Sequence, residues 1–389
     1  MTPQAKPAYR ARNIPINTPA HNHRSVFAKI KDPSVLNDDD QILLAEVYKR
    51  RAKPLPNTNS NTNISIPILD TSRERNVGIV LKFLRLPIQT IEAVIRQFDR
   101  ITLGEEHISG LVKVIPTADD FAAIERYQRK VEKPWTTTDL LKLPTPVRFF
   151  LMTKKIDHYE ERIRAWMLTL ELEPRVDFLM DKLQCVDIAV RAVLGSKYLP
   201  EILAYILSAS NFLNAGSRYQ NAQGFPITQV MNIMNFRTTD GKGILLEYVV
   251  TSISKKEPEL HRFVDEILPS LDPARGVIVE DIHTELTALR TRLKSCGSLV
   301  HSITHDQRWT GILGKFICHA EPLLEKAECL ASDLNAHIKL LPDFFCENTQ
   351  NFSLNDVLRV LYVFCKNWET ERIRQEEKEQ RIMRMSHHK

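Results

Sequence analysis

Ser210-Asn211-Phe212-Leu213-Asn214-Ala215-Gly216-Ser217-Arg218, followed by Asn221-Ala222-Gln223-Gly224-Phe225, is the stretch whose reading decides the fold. Just upstream, Ile202, Leu203, Ile206 and Leu207 repeat at helical spacing before asparagine and glycine take over. An apolar helix therefore ends here in a polar, glycine-punctuated loop. Asn211 and Asn214 fall where helix-end caps belong, Gly216 and Gly224 where turns call for positive φ, and Phe225 is a core candidate. Nothing in the stretch is a catalytic motif.

The composition extends that helical reading to the whole chain of 389 residues. Only 12 glycines and 7% aromatics stand against 43% apolar and 26% charged residues, which suits an all-α protein better than a sandwich or a nucleotide-binding α/β fold. The formal charge of +5 is a modest excess that suits an acidic partner, and by itself suits RNA or DNA as well. Cysteines at 185, 296, 318, 329, 346 and 365 form no CxxC pair, and the chain opens with no apolar signal segment. A reducing, cytoplasmic compartment is expected, so the sequons at Asn63 and Asn351 are chance matches. No apolar run approaches the roughly 20 residues that cross a bilayer, so membrane insertion is not expected.

Motifs for chemistry are wanting. Gly311-Ile312-Leu313-Gly314-Lys315 is too short between its glycines for a phosphate loop, and Phe316 stands where Ser or Thr is needed; it reads as a local packing feature. Cys318-His319, and His301 with His305, have no paired ligands at zinc spacing, and Asp38 to Asp40 read as a solvated charge run. No catalytic residue, metal or cofactor is expected.

In chain order, residues 1–24 form a polar N-terminal segment, and 25–52 carry a weak helical pattern with Val26, Phe27 and Ile30, then Ile42, Leu43, Leu44, Val47 and Tyr48. Residues 53–66 read as a polar linker. A helical body fills 67–368, and 369–389 is a charged helix or tail. Leu86-Pro87 breaks a helix. Thr102-x-x-Glu105, Thr117-x-x-Asp120 and Ser353-x-x-Asp356 read as capping boxes. Met152, Ile156, Tyr159, Ile163, Trp166 and Leu170 recur at spacings of 4, 3, 4, 3 and 4, a seam for packing along another helix. Further helices are expected over Val176–Leu194, Leu199–Leu213, Ile227–Phe236, Val279–Leu293 and Val357–Trp368.

Three segments carry a family resemblance: the Ser210–Phe225 stretch; Leu69-Asp70-Thr71-Ser72-Arg73-Glu74-Arg75-Asn76-Val77-Gly78-Ile79; and Asn235-Phe236-Arg237 leading through Asp240-Gly241-Lys242 to Leu245-Leu246-Glu247-Tyr248. Together, in this order, they resemble the formin homology 2 domain. The resemblance implies an elongated all-α fold with lasso (25–52), linker, knob, coiled-coil and post subdomains. It implies a head-to-tail homodimer that nucleates actin and holds filament barbed ends, a cytoskeletal role without chemical catalysis. Ile79 in the knob would then be an actin anchor, although burial tendency alone makes it core. Arg237 and Lys242 would be actin contacts of the post. Asn211, Asn214, Gly216, Asn221, Gly224 and Phe225 would shape the pocket that receives the partner's lasso, here offering Phe27. The family places tryptophans in the lasso, whereas this chain has none before Trp135, which implies a weaker plug. The 21 prolines are scattered, so direct profilin recruitment is not expected, and nucleic acid is set aside. The alternative is a dimerisation scaffold of the same fold with weak or lost actin assembly.

Overall fold

A computed structural model describes residues 68–130, 135–216, 221–345 and 347–386, all in the unit running from Pro67 to Lys389. Phe27 and the readings for 1–24, 25–52 and 53–66 lie outside the described residues, as do Ser217 and Arg218. The fold is all-α. Among the described residues there is no strand, only an isolated antiparallel bridge between Arg237 and Ile244.

Six short helices come first: α1 Thr71–Leu84, α2 Ile88–Gln97, α3 Glu105–Lys113, α4 Ala118–Lys130, α5 Thr137–Lys142 and α6 Thr145–Thr153. Asp70 starts α1 by accepting the Ser72 and Arg73 N–H groups at 3.0 and 3.2 Å, a side-chain cap on otherwise orphaned donors. Arg85 in the left-handed region ends it, and Pro87 leads into α2. The Thr117–Asp120 box forms, with Asp120 N–H donating to Thr117 Oγ1 and Thr117 N–H to Asp120 Oδ2. Thr102 does not cap α3: its hydroxyl donates to Asp99 at 2.6 Å, and Gly104 precedes the helix with its N–H on His107 Nδ1. Asp99, the nearer acceptor, outcompetes the expected box. Asp120 also takes the guanidinium of Arg73, which in addition reaches the Ile115 carbonyl at 2.7 Å. Burial works against the Asp120 charge, but the Arg73 and Thr117 hydrogen bonds outweigh it and hold the carboxyl below its ordinary value.

The body is built on α7, Tyr159–Gly195, a 37-residue helix about 55 Å long at the standard rise. The seam to Leu170 and the separate helix expected over Val176–Leu194 both come out differently here. The seam from Met152 to Leu170 is not one helix: α6 ends at Thr153, and His158 at φ 55° restarts the chain as α7. Met152, Ile156, Tyr159, Ile163 and Trp166 are nonetheless all buried, so burial kept the spacing across a break. Pro174 does not divide α7 in two; it is exposed, where water can meet the carbonyl that loses its partner, while Leu172 and Val176 pack on either side.

Against α7 lie α12, Val279–Ser302, and α13, Gln307–Ile338. Glu171 pairs with Arg292 and Arg175 with Glu285, so α7 and α12 run antiparallel. Arg290 with Glu328, and His283 with Asn335, set α12 and α13 antiparallel too. Gly311, Gly314 and Lys315 sit within α13. A Cβ on either glycine would meet nothing within 4 Å, and the stretch packs through fully buried Leu313, with Ile312 and Phe316 partly buried beside it.

The short-helix group is locked to this bundle. Phe98 stacks on Trp166 and meets Trp309 edge-on, both with centroids 4.5 Å apart. Trp309 Nε1–H donates to the Ile95 and Arg96 carbonyls at 3.0 and 3.1 Å, and Arg308 donates to the Gln97 carbonyl. The start of α13 thereby satisfies the carbonyl end of α2. Buried Arg162 pairs with Asp306 at 2.7 Å beside them.

The remaining elements are α8 Leu199–Leu213, a 3₁₀ turn Ile227–Gln229, α9 Val230–Met234, α10 Leu245–Lys256, a 3₁₀ turn Pro258–His261, α11 Arg262–Ala274, α14 Leu340–Phe345 and α15 Leu354–Ser386. The last helix is longer than the Val357–Trp368 expected. Its apolar part, with Leu361, Phe364 and Trp368, packs on α11 and α10, and its last turns continue exposed. His261 joins these elements: Trp368 Nε1–H donates to its Nδ1 at 2.9 Å, and its Nε2 lies 2.9 Å from Ser254 Oγ. Because Nδ1 is an acceptor, the neutral ring carries its proton on Nε2 and donates to Ser254. Ser254 passes the chain on to the Val250 carbonyl.

Candidate functional site

The described site residues expected from the sequence sit in three places: on α1, at the end of α8 with its loop, and on the turn between α9 and α10. On α1, Val77, Leu81 and Leu84 are buried, so the opposite face must point outward. Ile79 lies on that outer face and is 57% exposed. The core reading that burial tendency favours does not hold for it. The neighbouring motif residues serve structure, Asp70 as helix cap and Arg73 as the clamp on Asp120.

The second place is the end of α8. Asn214 is the helix C-cap, as expected. Asn211 is not a cap: its amide donates to the Ala222 carbonyl and its oxygen accepts the Ala222 N–H, both at 2.8 Å. One side chain thus closes the loop with the two-way pairing that a strand would use. Gly216 at φ 80° and Asn221 at φ 61° turn the chain, each suited to the left-handed region. Gly224 is different from expectation. Its φ is not positive, and an added Cβ would meet nothing within 4 Å.

Asn211, Asn214, Gly224 and half-buried Phe225 line an open pocket of about 510 Å³. Leu213, Ile233, Phe236 and Leu245 complete its apolar wall, while Phe212 beside it is 81% exposed. On the far side of Gly224 and Phe225 a second pocket of about 850 Å³ reaches Phe344 and Phe345. In the lining of this second pocket the Ile227 N–H donates to Glu347 Oε1 at 2.7 Å. Of the six loop residues expected at the site, four line the first pocket and two bend the loop. Phe236 was missed as a wall residue; its place beside Arg237 was the only signal.

Arg237 and Lys242 are exposed on a tight turn between α9 and α10. The Thr238 N–H donates to the Gly243 carbonyl, and the Gly243 N–H to Thr238 Oγ1, both at 3.0 Å. Asp240 accepts from Thr238 at 2.6 Å and from the Lys242 N–H at 3.2 Å, and these bonds hold its carboxyl below the ordinary range. Gly241 at φ 68° makes the turn possible. The arrangement displays two cations on a stiff backbone next to the pocket wall. It offers surfaces for a protein partner, and among the described residues no group of His, Cys, Asp and Glu could hold a metal. No helix among those residues is long and apolar enough to cross a membrane.

Comparison with known proteins bears on these surfaces. The family model described as the Formin Homology 2 Domain matches residues 16–369. The chain is 25% identical over 316 residues to FH2 domain-containing protein 1 of Homo sapiens, covering 81% of this chain and 26% of that protein. It is 23% identical over 304 residues to protein diaphanous homolog 3 of Homo sapiens, with 77% and 25% covered. It is 26% identical over 277 residues to disheveled-associated activator of morphogenesis 1-A of Xenopus laevis, with 68% and 25% covered. The chain spans about a quarter of the length of these curated relatives.

Proposed function

This chain belongs to the Formin Homology 2 Domain family, and from that premise we propose that it is an actin-assembly module working as a head-to-tail dimer. The observation that carries the reading is the open pocket of about 510 Å³ formed by the Asn211–Phe225 loop, with its apolar wall left uncovered. The N-terminal segment of a second copy, with Phe27 as its apolar plug, fills that pocket. Gly224 supports this, because the absent side chain leaves room that the chain itself does not use.

Each half of the dimer then offers an actin subunit two contacts. Ile79 enters an apolar cleft, as a buried anchor at the centre of a contact does. Arg237 and Lys242 bind an acidic surface nearby, and the rigid turn under them limits the entropy lost on binding. Work is done by binding energy: two such bridges stabilise small actin oligomers and hold the barbed end as subunits add. No bond is made or broken by the chain.

Pyrene-actin assembly with the full chain tests the proposal, with light scattering on the same samples. Expected are faster nucleation or slowed barbed-end growth at micromolar protein, loss of the effect in Ile79→Ala, and a dimeric mass. Absence of any effect on actin from a dimeric wild-type protein would leave the dimerisation scaffold as the reading. A monomeric mass would remove the head-to-tail joint.

A further inference from the structure

Phe83 follows Ile79 by four residues, and an i, i+4 pair shares one helix face. It is 48% exposed, and its ring lies 5.3 Å from that of His107 on α3, so the neighbouring helix backs it. Ile79 and Phe83 therefore make a two-residue apolar stripe along the outside of α1. Large apolar side chains standing together in water mark contact surfaces.

Beside the stripe runs a groove of about 460 Å³, bounded by Arg75, Gly78 and Lys82 of α1 and by Pro146 of α6. Gly78 keeps it open, since a Cβ there would meet nothing within 4 Å. Arg75 and Lys82 are exposed and stand in no ion pair among the described residues. Glu74 lines the same groove but lies on the other side of the helix from the stripe, by the 100° turn per residue.

We propose that Phe83 is a second apolar anchor for the actin subunit that Ile79 engages, and that Arg75 and Lys82 read an acidic rim beside that subunit's apolar cleft. The inference rests on the actin reading of Ile79. Paired apolar anchors give affinity by excluding water together. The flanking cations raise the association rate and make it sensitive to salt.

The test is the concentration of the 389-residue chain giving half-maximal slowing of barbed-end growth from actin seeds, with Ile79→Ala, Phe83→Ala, Lys82→Glu and Phe178→Ala compared at matched melting temperature. Phe178 is an equally exposed aromatic, 48%, but lies on α7. The expected result is a loss of about tenfold for Phe83→Ala, wild-type behaviour for Phe178→Ala, and for Lys82→Glu a loss of about fivefold at low salt that shrinks as salt is raised. Loss in Ile79→Ala with wild-type behaviour in Phe83→Ala overturns the second anchor while the module's function stands. Equal losses at Phe83 and Phe178 overturn it as well, since the effect would then be unspecific. Wild-type behaviour of both Ile79→Ala and Phe83→Ala removes the actin reading of α1 altogether.

Discussion

Ile79 and the Asn211–Phe225 loop are held in place by opposite means. Behind Ile79, Val77, Leu81 and Leu84 are buried against the short-helix group, so its direction follows from apolar packing on the far side of the same helix. The described residues of the loop are exposed or half-buried. It keeps its shape through Asn211 on Ala222, Glu347 on Ile227 and two residues at positive φ. A packed helix tolerates change at its outer face, because nothing inside depends on it. A loop closed by single polar side chains loses its shape when one of them goes. The two surfaces should therefore fail differently.

Acid separates them most widely. Burial, aided by the charge of Arg372, pushes His261 down from 6.5 to about 4. The folded state then binds this proton less readily than the unfolded chain, so its stabilising share is whole above pH 6.5 and is lost as pH falls from 6.5 towards 4. By about pH 4 the loss approaches roughly 3 kcal/mol. Protonation also places a second donor against Trp368 Nε1–H, loosening α15 and α10 below the pocket. The Asp120 carboxyl, held below its ordinary 3.8, gives a share to the α1 end that is whole above that value and is lost only as pH falls further. Hydrogen exchange and urea titration between pH 7 and pH 4.5 should find the α10–α15 end opening first. Stability that stays flat over this range would refute the assignment.

A smaller effect contrasts the two faces of α1. Val77→Ala should cost about 2 kcal/mol in urea unfolding, whereas Ile79→Ala should stay within about 0.5 kcal/mol of wild type while losing barbed-end binding. If both destabilise equally, Ile79 is packed and the contrast between helix and loop collapses.

At the loop a modest cost in stability should go with a change in assembly. Asn211→Ala removes both bonds to Ala222, for about 1 kcal/mol, yet should shift the dimer towards monomer in light scattering because the loop lining the pocket loses its closure. A dimer unchanged at every concentration would mean that the loop does not form the joint.

Some of this was legible in the residues and some was not. The helical ends of the signature stretch were readable because Ile202, Leu203, Ile206 and Leu207 stop where Asn and Gly begin. The division of the Met152–Leu170 seam was not, since Met152 and Tyr159 are buried on either side of the break and Ile156 within it, and all keep their spacing. Nor was the joining of that seam to the Val176–Leu194 helix, since Pro174 stands between them and is tolerated because it faces water. Asn211 looked like a cap, because its partner lies 11 residues away, beyond any local pattern.

The sequence by itself determined an all-α body, several of its helices and the motifs that tie it to its family, because apolar periodicity and capping residues act within a few positions of where they stand. Tertiary structure alone decided that Ile79 faces water, that Asn211 closes a loop, and that Gly224 borders open space. Those outcomes depend on which helix packs behind a residue and how far the chain returns, and neither is written in its neighbours.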